Sequence, residues 1–307
     1  MSNDVVVGVD GSPSSLTAAE QAAVEASLHG VGLHLVHVQT WLSAPPGPGT
    51  KVYEPLEEAL EREAESYLAE AVTRARAVAP GVEVTGTVIP GEVLPTLVEL
   101  SRSASLIAVG SRGLGGFSGL LLGSVAVHLA SHAHCPVLIL RGTADPSSPI
   151  IVGVDGSPAN RRAIDFAFAE ASLREVDLVA MHVWSEWTVP PSPPPDKAMA
   201  YAKKPGELRE EEEALLAEAL SGCCEQYPDV RVKLHSVRGR TREELLAASR
   251  NARMLVVGAR GRGGFTGMLL GSVSQAALHH AHCPVVVVPH ERGHLLGHGS
   301  GADAEAA

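Results

Sequence analysis

GSRGLGGFSGLLLGS, from Gly110 to Ser124, returns as GARGRGGFTGMLLGS from Gly258 to Ser272. Each copy follows an apolar, strand-like run, Leu106 to Val109 or Met254 to Val257, and each leads into a helix-like segment. Both keep one spacing: glycine, two residues, glycine, nine residues, glycine, serine. This fixes Gly110, Gly113, Gly123 and Ser124 in the first copy and Gly258, Gly261, Gly271 and Ser272 in the second. Glycine permits positive φ and lets a ligand approach the main chain closely. A Gly-Ser pair opening a helix presents free N–H groups at the positive end of the helix dipole, a natural seat for phosphate. The pattern therefore predicts two phosphate-binding loops. A short glycine motif can also do no more than turn the chain, but the same spacing kept in two otherwise diverged copies argues for the ligand.

Working outward, the first copy completes a unit of alternating elements. Val5 to Asp10 (VVVGVD) has the continuous β-branched character of a strand buried on both faces, as in a parallel sheet. Ser12 and Pro13 suit the cap and first turn of a helix carrying Leu16, Ala19, Ala23 and Ala26 at helical spacing, with Gly30 as its stop. Strands follow at Leu33 to Val38 and Val82 to Val88, helices at Glu54 to Ala79 and Glu92 to Ser103, then the strand Leu106 to Gly110, a helix from Gly123 to Ala133 and a strand from Pro136 to Leu140. Five strands alternating with four helices predict an α/β domain with a parallel sheet.

The order then repeats. IVGVDGS from Ile151 lies 145 residues after its counterpart at Val6, and the glycine stretches are 148 apart. Between Gly110–Leu140 and Gly258–Val288, 18 of 31 positions are identical. The expected organisation is a first domain over 1–141, a linker over 142–149, a second domain over 150–289, and a disordered Gly/Ala/His-rich tail over 290–307. Pro/Gly-rich loops follow the second strand of each copy, at Ser43 to Thr50 and at Trp184 to Gly206.

The 307 residues suffice for two domains, and 45% hydrophobic content with only 4% aromatic predicts aliphatic cores. A net charge of −11 argues against nonspecific nucleic-acid or anionic-membrane binding. No apolar stretch reaches membrane-spanning length, and MSNDVVVGVDGS lacks the features of a signal peptide. Cys135, Cys223, Cys224 and Cys283 show neither a CxxC pair nor zinc-ligand spacing, so a reducing, cytoplasmic compartment is expected.

With these residues in view, the chain resembles tandem universal stress proteins of the ATP-binding type. The marks are the glycine pattern, Val-Asp-Gly-Ser at Val9 to Ser12 and Val154 to Ser157, and the Cys-Pro-Val that opens each last strand. The resemblance covers nearly all of residues 4–289, twice. It implies two adenine nucleotide α-hydrolase-like domains, each a five-stranded parallel sheet in the order 3-2-1-4-5, and a nucleotide at the topological switch point of each. By that resemblance Asp10 and Asp155 would accept hydrogen bonds from the ribose hydroxyls, and Val9 and Val154 beside them would belong to the nucleotide sites. Val38 and Val183 would meet adenine partly through the backbone. Gly110, Gly113, Gly123, Ser124 and Val125 would line the phosphates, as would Gly258, Gly261, Gly271, Ser272 and Val273. Arg112 and Arg260 stand between glycines, where an arginine either reaches a phosphate or is solvated. A hydrated Mg²⁺ can bridge the phosphates, since it uses few protein ligands.

Other motifs read more plainly. An aspartate in Asp-Gly-Ser also forms Asx-turns. His132-Ala-His134-Cys135 and its counterpart at His280 suit a helix end better than a metal, and Cys223-Cys224 fits packing on a helix. Three functions stay open: an ATP-dependent stress-response regulator, a slow ATPase or nucleotidyl transferase, and a nucleotide-free dimerisation scaffold. In the last, the halves pack as a pseudo-twofold pair through Val137 to Leu140 and Val285 to Val288. Beyond that internal pair, a homodimer is compatible with the sequence.

Overall fold

The computed structural model describes residues 3–40, 54–114, 122–184, 205–262 and 269–290. The loop expected at Ser43 to Thr50, most of that from Trp184 to Gly206, the centres of both glycine stretches and the tail beyond His290 lie outside these residues.

The first half runs β1 (Val5–Gly8), α1 (Pro13–His29), β2 (Leu33–Gln39), α2 (Glu54–Val78), β3 (Val84–Pro90), α3 (Val93–Leu100), β4 (Leu106–Gly110), α4 (Ser124–His132) and β5 (Val137–Leu140). The second runs β6 (Ile150–Gly153), α5 (Arg161–Arg174), β7 (Leu178–Trp184), α6 (Pro205–Gln226), β8 (Val232–Arg238), α7 (Thr241–Ala248), β9 (Met254–Gly258), α8 (Ser272–His280) and β10 (Val285–Val288). Within each half the strands are parallel, in the order 3-2-1-4-5, as the resemblance implied. The central strands β1, β4, β5, β6, β9 and β10 are unbroken by polar residues because helices cover both faces. Val5 and Val7 pack into one core layer and Val6 into the other, all at most 5% exposed. The small alanines of α1 (Ala18, Ala19, Ala22, Ala23 and Ala26, none exposed) bring that helix close against the sheet.

The halves join edge to edge. β10 pairs antiparallel with β5, Val286 opposite Leu138, so ten strands form one sheet. Each half's bare apolar edge, which would otherwise invite aggregation, is covered by the other. Residues 142–149, expected as a linker, are held to the second half. Arg141 caps the carboxyl end of α8 through the carbonyls of Ala277, Leu278 and His279. Gly142 has φ 60° and lies so close to the His282 carbonyl that a Cβ would overlap it. Arg253 ties down the other end, at Pro146 and Pro149.

A buried charge cluster completes the seam between α1 and α5. Arg174 pairs with both Glu25 and Glu170, and His29 Nε2 lies 2.8 Å from Glu170 Oε1. Glu170 is fully buried and Glu25 is 6% exposed. Glu170 follows Glu25 by 145 residues, and Arg174 follows His29 by the same interval, so the contacts are reciprocal. The Glu170 carboxylate, winning over burial, raises the His29 pKa, and burial raises that of Glu25. Glu25, His29 and Glu170 are close enough together to hold a metal ion, but Arg174 already sits between the carboxylates and supplies the positive charge.

Candidate functional site

β1 lies between β2 and β4, and β6 between β7 and β9, so each half has a switch point just beyond its first strand. Asp10 and Asp155 stand there. In the first half, Asp10 Oδ1 accepts from the Ser12 N–H (3.1 Å) and hydroxyl (2.6 Å), forming an Asx-turn. Its Oδ2 accepts from the Leu114 N–H at 2.9 Å, reaching across to the glycine loop. Burial pushes its pKa up, but the Ser12 hydroxyl, the Leu114 N–H and further bonds from Ser15 and the Ser12 N–H outweigh it and hold the carboxyl below the usual range. Asp155 repeats the geometry, accepting from the Ser157 N–H at 2.8 Å and the Arg262 N–H at 2.9 Å. Both aspartates therefore latch the glycine loop to the first strand. An ionised carboxylate has about four acceptor positions, so capacity remains for a ligand hydroxyl.

The glycines divide into two sets. Sterics within the protein explain the first set. A Cβ on Gly110 would lie 2.5 Å from Ser14 Oγ and within 2.9 Å of its backbone, and one on Gly113 would overlap Asp10 Oδ2. Gly261 would meet Asp155 Oδ2 at 2.5 Å, and Gly258 the Arg260 carbonyl at 3.1 Å. None of these needs positive φ, contrary to one half of the sequence argument; close approach is the operative constraint. Gly123 and Gly271 are different. Their φ values are −75° and −73°, and a Cβ would find nothing nearer than 3.6 and 3.5 Å. Both occupy helix N-caps, where Ser, Thr, Asp or Asn would normally satisfy an exposed N–H. Neither helix has a side-chain cap bond, so the first turns of α4 and α8 stay open.

In the second half, these residues enclose a cavity of about 400 Å³. Val154, Asp155, Val183, Gly258, Arg260, Gly261, Gly271, Ser272 and Val273, all singled out from sequence, line it together. Arg260 also contacts the His290 ring. In the first half Val9 is buried, Val38 and Val125 are half-buried, and Ser124 is exposed at the start of α4. The Arg112 carbonyl lies 3.4 Å from the Ser12 hydroxyl, which ties this loop too to the start of α1.

Sequence reasoning passed over a histidine common to both sites. His37 Nδ1 lies 2.9 Å from the Val9 carbonyl, and His182 Nδ1 is 2.7 Å from that of Val154. The two are 145 residues apart, each just before the valine assigned to adenine, so the repeat itself carried the signal. His182 Nε2 meets Glu212 Oε2 at 2.8 Å. Its counterpart His37 faces the Tyr67 ring, 5.9 Å away between centroids. Trp184 and Thr241 complete the second cavity. At the carboxyl end of α4, His132 Nδ1 bonds the His128 carbonyl one turn back.

Among the described residues no helix is long and apolar enough to cross a membrane. The family model described as "Universal stress protein family" matches residues 1–141 and again 147–289. A universal stress protein of Mycobacterium tuberculosis is 40% identical over 300 residues, covering 92% of this chain and 94% of its own. One of Mycolicibacterium smegmatis is 39% identical over 291 residues, with 92% and 96% covered. Among solved structures, a universal stress protein from Archaeoglobus fulgidus matches with a TM-score of 0.66 at 24% identity, covering 94% of this chain and 99% of that one, a likeness of fold. Two matched halves, full-length relatives and a shared doubled fold agree, and the chain belongs to the universal stress protein family.

Proposed function

We propose that each half binds one adenine nucleotide, ATP, and that occupancy of the sites is the output of a nucleotide-dependent stress-response regulator. One observation carries this reading. Gly123 and Gly271 stand at uncapped helix starts where no neighbouring protein atom demands a glycine. The N–H groups of Gly123 and Gly271 themselves are met by the Ser111 and Ala259 carbonyls, but leaving those of the turn that follows open is costly unless water or a ligand meets them, and a phosphate is the ligand that the dipole favours. The adjoining cavity has the size of a small-molecule site, for which about 300–1,000 Å³ is usual. Asp10 and Asp155 would lend their remaining acceptor positions to the ribose hydroxyls. A bound Mg²⁺ would neutralise phosphate charge and keep most of its water, with the exposed hydroxyls of Ser124 and Ser272 offered beside it. All four cysteines are free thiols, and burial pushes Cys135 and Cys283 up to about 12, which fits a cytoplasmic setting.

The scaffold reading draws on the β5–β10 pairing, which joins the halves without any ligand. Titration calorimetry separates the two. The full chain should bind two ATP, and Gly123→Glu or Gly271→Glu should each remove one, because the new carboxylate occupies the helix start. No ATP binding by the unaltered chain would end the nucleotide reading and leave the scaffold.

A further inference from the structure

The second-half cavity continues beyond the start of α8. A more open hollow of about 800 Å³ adjoins it, and the two share Thr241, Ser272 and Val273. It follows the groove between α7 and α8, with Arg240, Arg242 and Glu243 on one wall and Gln275, His279 and His280 on the other. Arg240 Nη1 bonds Glu243 Oε1 at 2.9 Å, an exposed pair that costs little to rearrange.

The first half is built otherwise at the same positions. Where the second has Arg240, Thr241, Arg242 and Glu243, the first has Glu92, Val93, Leu94 and Pro95. Leu114 likewise corresponds to Arg262, whose guanidinium lies against Gly156 at the cavity wall. Set against the added carboxylates Glu212 and Glu243, the second site and its groove still stand two positive charges above the first. Glu212 is moreover engaged by His182. Guanidinium groups bind phosphate oxygens through short, charge-assisted bonds. Among the described residues the groove wall has no aromatic ring besides two imidazoles, so it suits further phosphates rather than a second base.

Resting on the nucleotide reading above, we propose that the second-half site takes a nucleoside polyphosphate. Base and ribose fill the cavity, the first phosphates meet the open turn of α8, and the chain runs over Ser272 into the groove, where Arg240 and Arg242 receive phosphates beyond the third. The first site, with Glu92 and Leu94 there, stops at the triphosphate.

The test compares AMP, ATP and adenosine 5′-tetraphosphate by titration calorimetry on the full chain, with one site blocked at a time. With Gly123→Glu the second site remains, and the tetraphosphate should bind about tenfold more tightly than ATP, the gain expected of one added charge-assisted contact. With Gly271→Glu the first site remains, and the two should bind alike. Adding Arg240→Gln and Arg242→Gln to Gly123→Glu should bring the tetraphosphate-to-ATP ratio to about one; both side chains lie at the surface, and circular dichroism verifies the fold. Equal ratios at the two sites, or a ratio indifferent to the arginines, would overturn the inference while ATP binding still stood. Failure of every nucleotide to bind would overturn the underlying reading as well.

Discussion

The two halves reach the same helix start by different means. In the first, the Ser12 hydroxyl accepts from the Ser15 N–H and donates to Asp10, so α1 begins at once on a well-made cap. In the second, the Ser157 hydroxyl is buried without a hydrogen-bond partner, and the chain passes through a 3-10 turn at Pro158–Asn160 before α5. Asn160 takes over the bracing, donating to the Gly153 carbonyl at 3.0 Å and receiving the Asp155 N–H at 3.4 Å. What both halves retain is the aspartate latch and the open glycine caps. The supports have drifted while the latch and the caps have not, so the two features are maintained by different local means.

The largest expected effect tests whether the halves share the seam equally. Glu170→Ala leaves His29 without its buried partner and Arg174 with Glu25 alone, and should cost about 3–5 kcal/mol in urea unfolding. Glu25→Ala should cost less, since Arg174 keeps Glu170. Equal losses would mean that the cluster acts as one indivisible unit. Next come the strand-end glycines. Gly110→Ala drives a methyl into Ser14 and should cost about 1–3 kcal/mol, whereas Gly258→Ala meets a single carbonyl at 3.1 Å and should cost clearly less. A reversed order would refute the account of why α1 and β4 approach so closely.

The serines give a smaller and sharper contrast. Ser12→Ala should lose about 1 kcal/mol, the usual value of an N-cap. Ser157→Ala removes a buried hydroxyl that has no partner and should be neutral or slightly stabilising. The smallest effect is one of pH. His29 is the titrating member of a pseudo-symmetric pair whose other member, Arg174, stays charged. Its folded pKa is raised, so its stabilisation is full below the unfolded value of about 6.5 and is lost as pH rises through the folded value. Glu25, also raised, acts in the same direction at lower pH, and Arg174 and Arg253 hold the remaining nearby charge. His29→Gln should flatten the fall in stability above neutral pH; an unchanged slope would place its origin elsewhere.

The fold was legible because the central strands are short aliphatic runs and α1 carries its own punctuation. Ser12, Pro13 and Gly30 bound α1 as expected, and Leu106–Gly110 is β4 to the residue. The glycine pattern marked the site because close approach leaves glycine alone tolerable at Gly110 and Gly113. What could not be read depends on contacts made only in three dimensions. Nothing in the spacing of Glu212 announces that it meets His182. The clamping of residues 142–149 depends on Arg141 finding the end of a helix more than 130 residues later. Glu25 and Glu170 look like ordinary helix surface until α1 and α5 are brought together across the seam.

The antiparallel pairing of β5 with β10 has a consequence for anything that reads these candidate sites. Each switch point lies beyond the carboxyl ends of its own parallel strands, and the junction turns those ends toward opposite margins of the sheet. A rigid body seated over one switch point is therefore blind to the other. A chain filled at both ends would show two similar faces back to back, an arrangement that strings partners into a row and cannot clasp one between them.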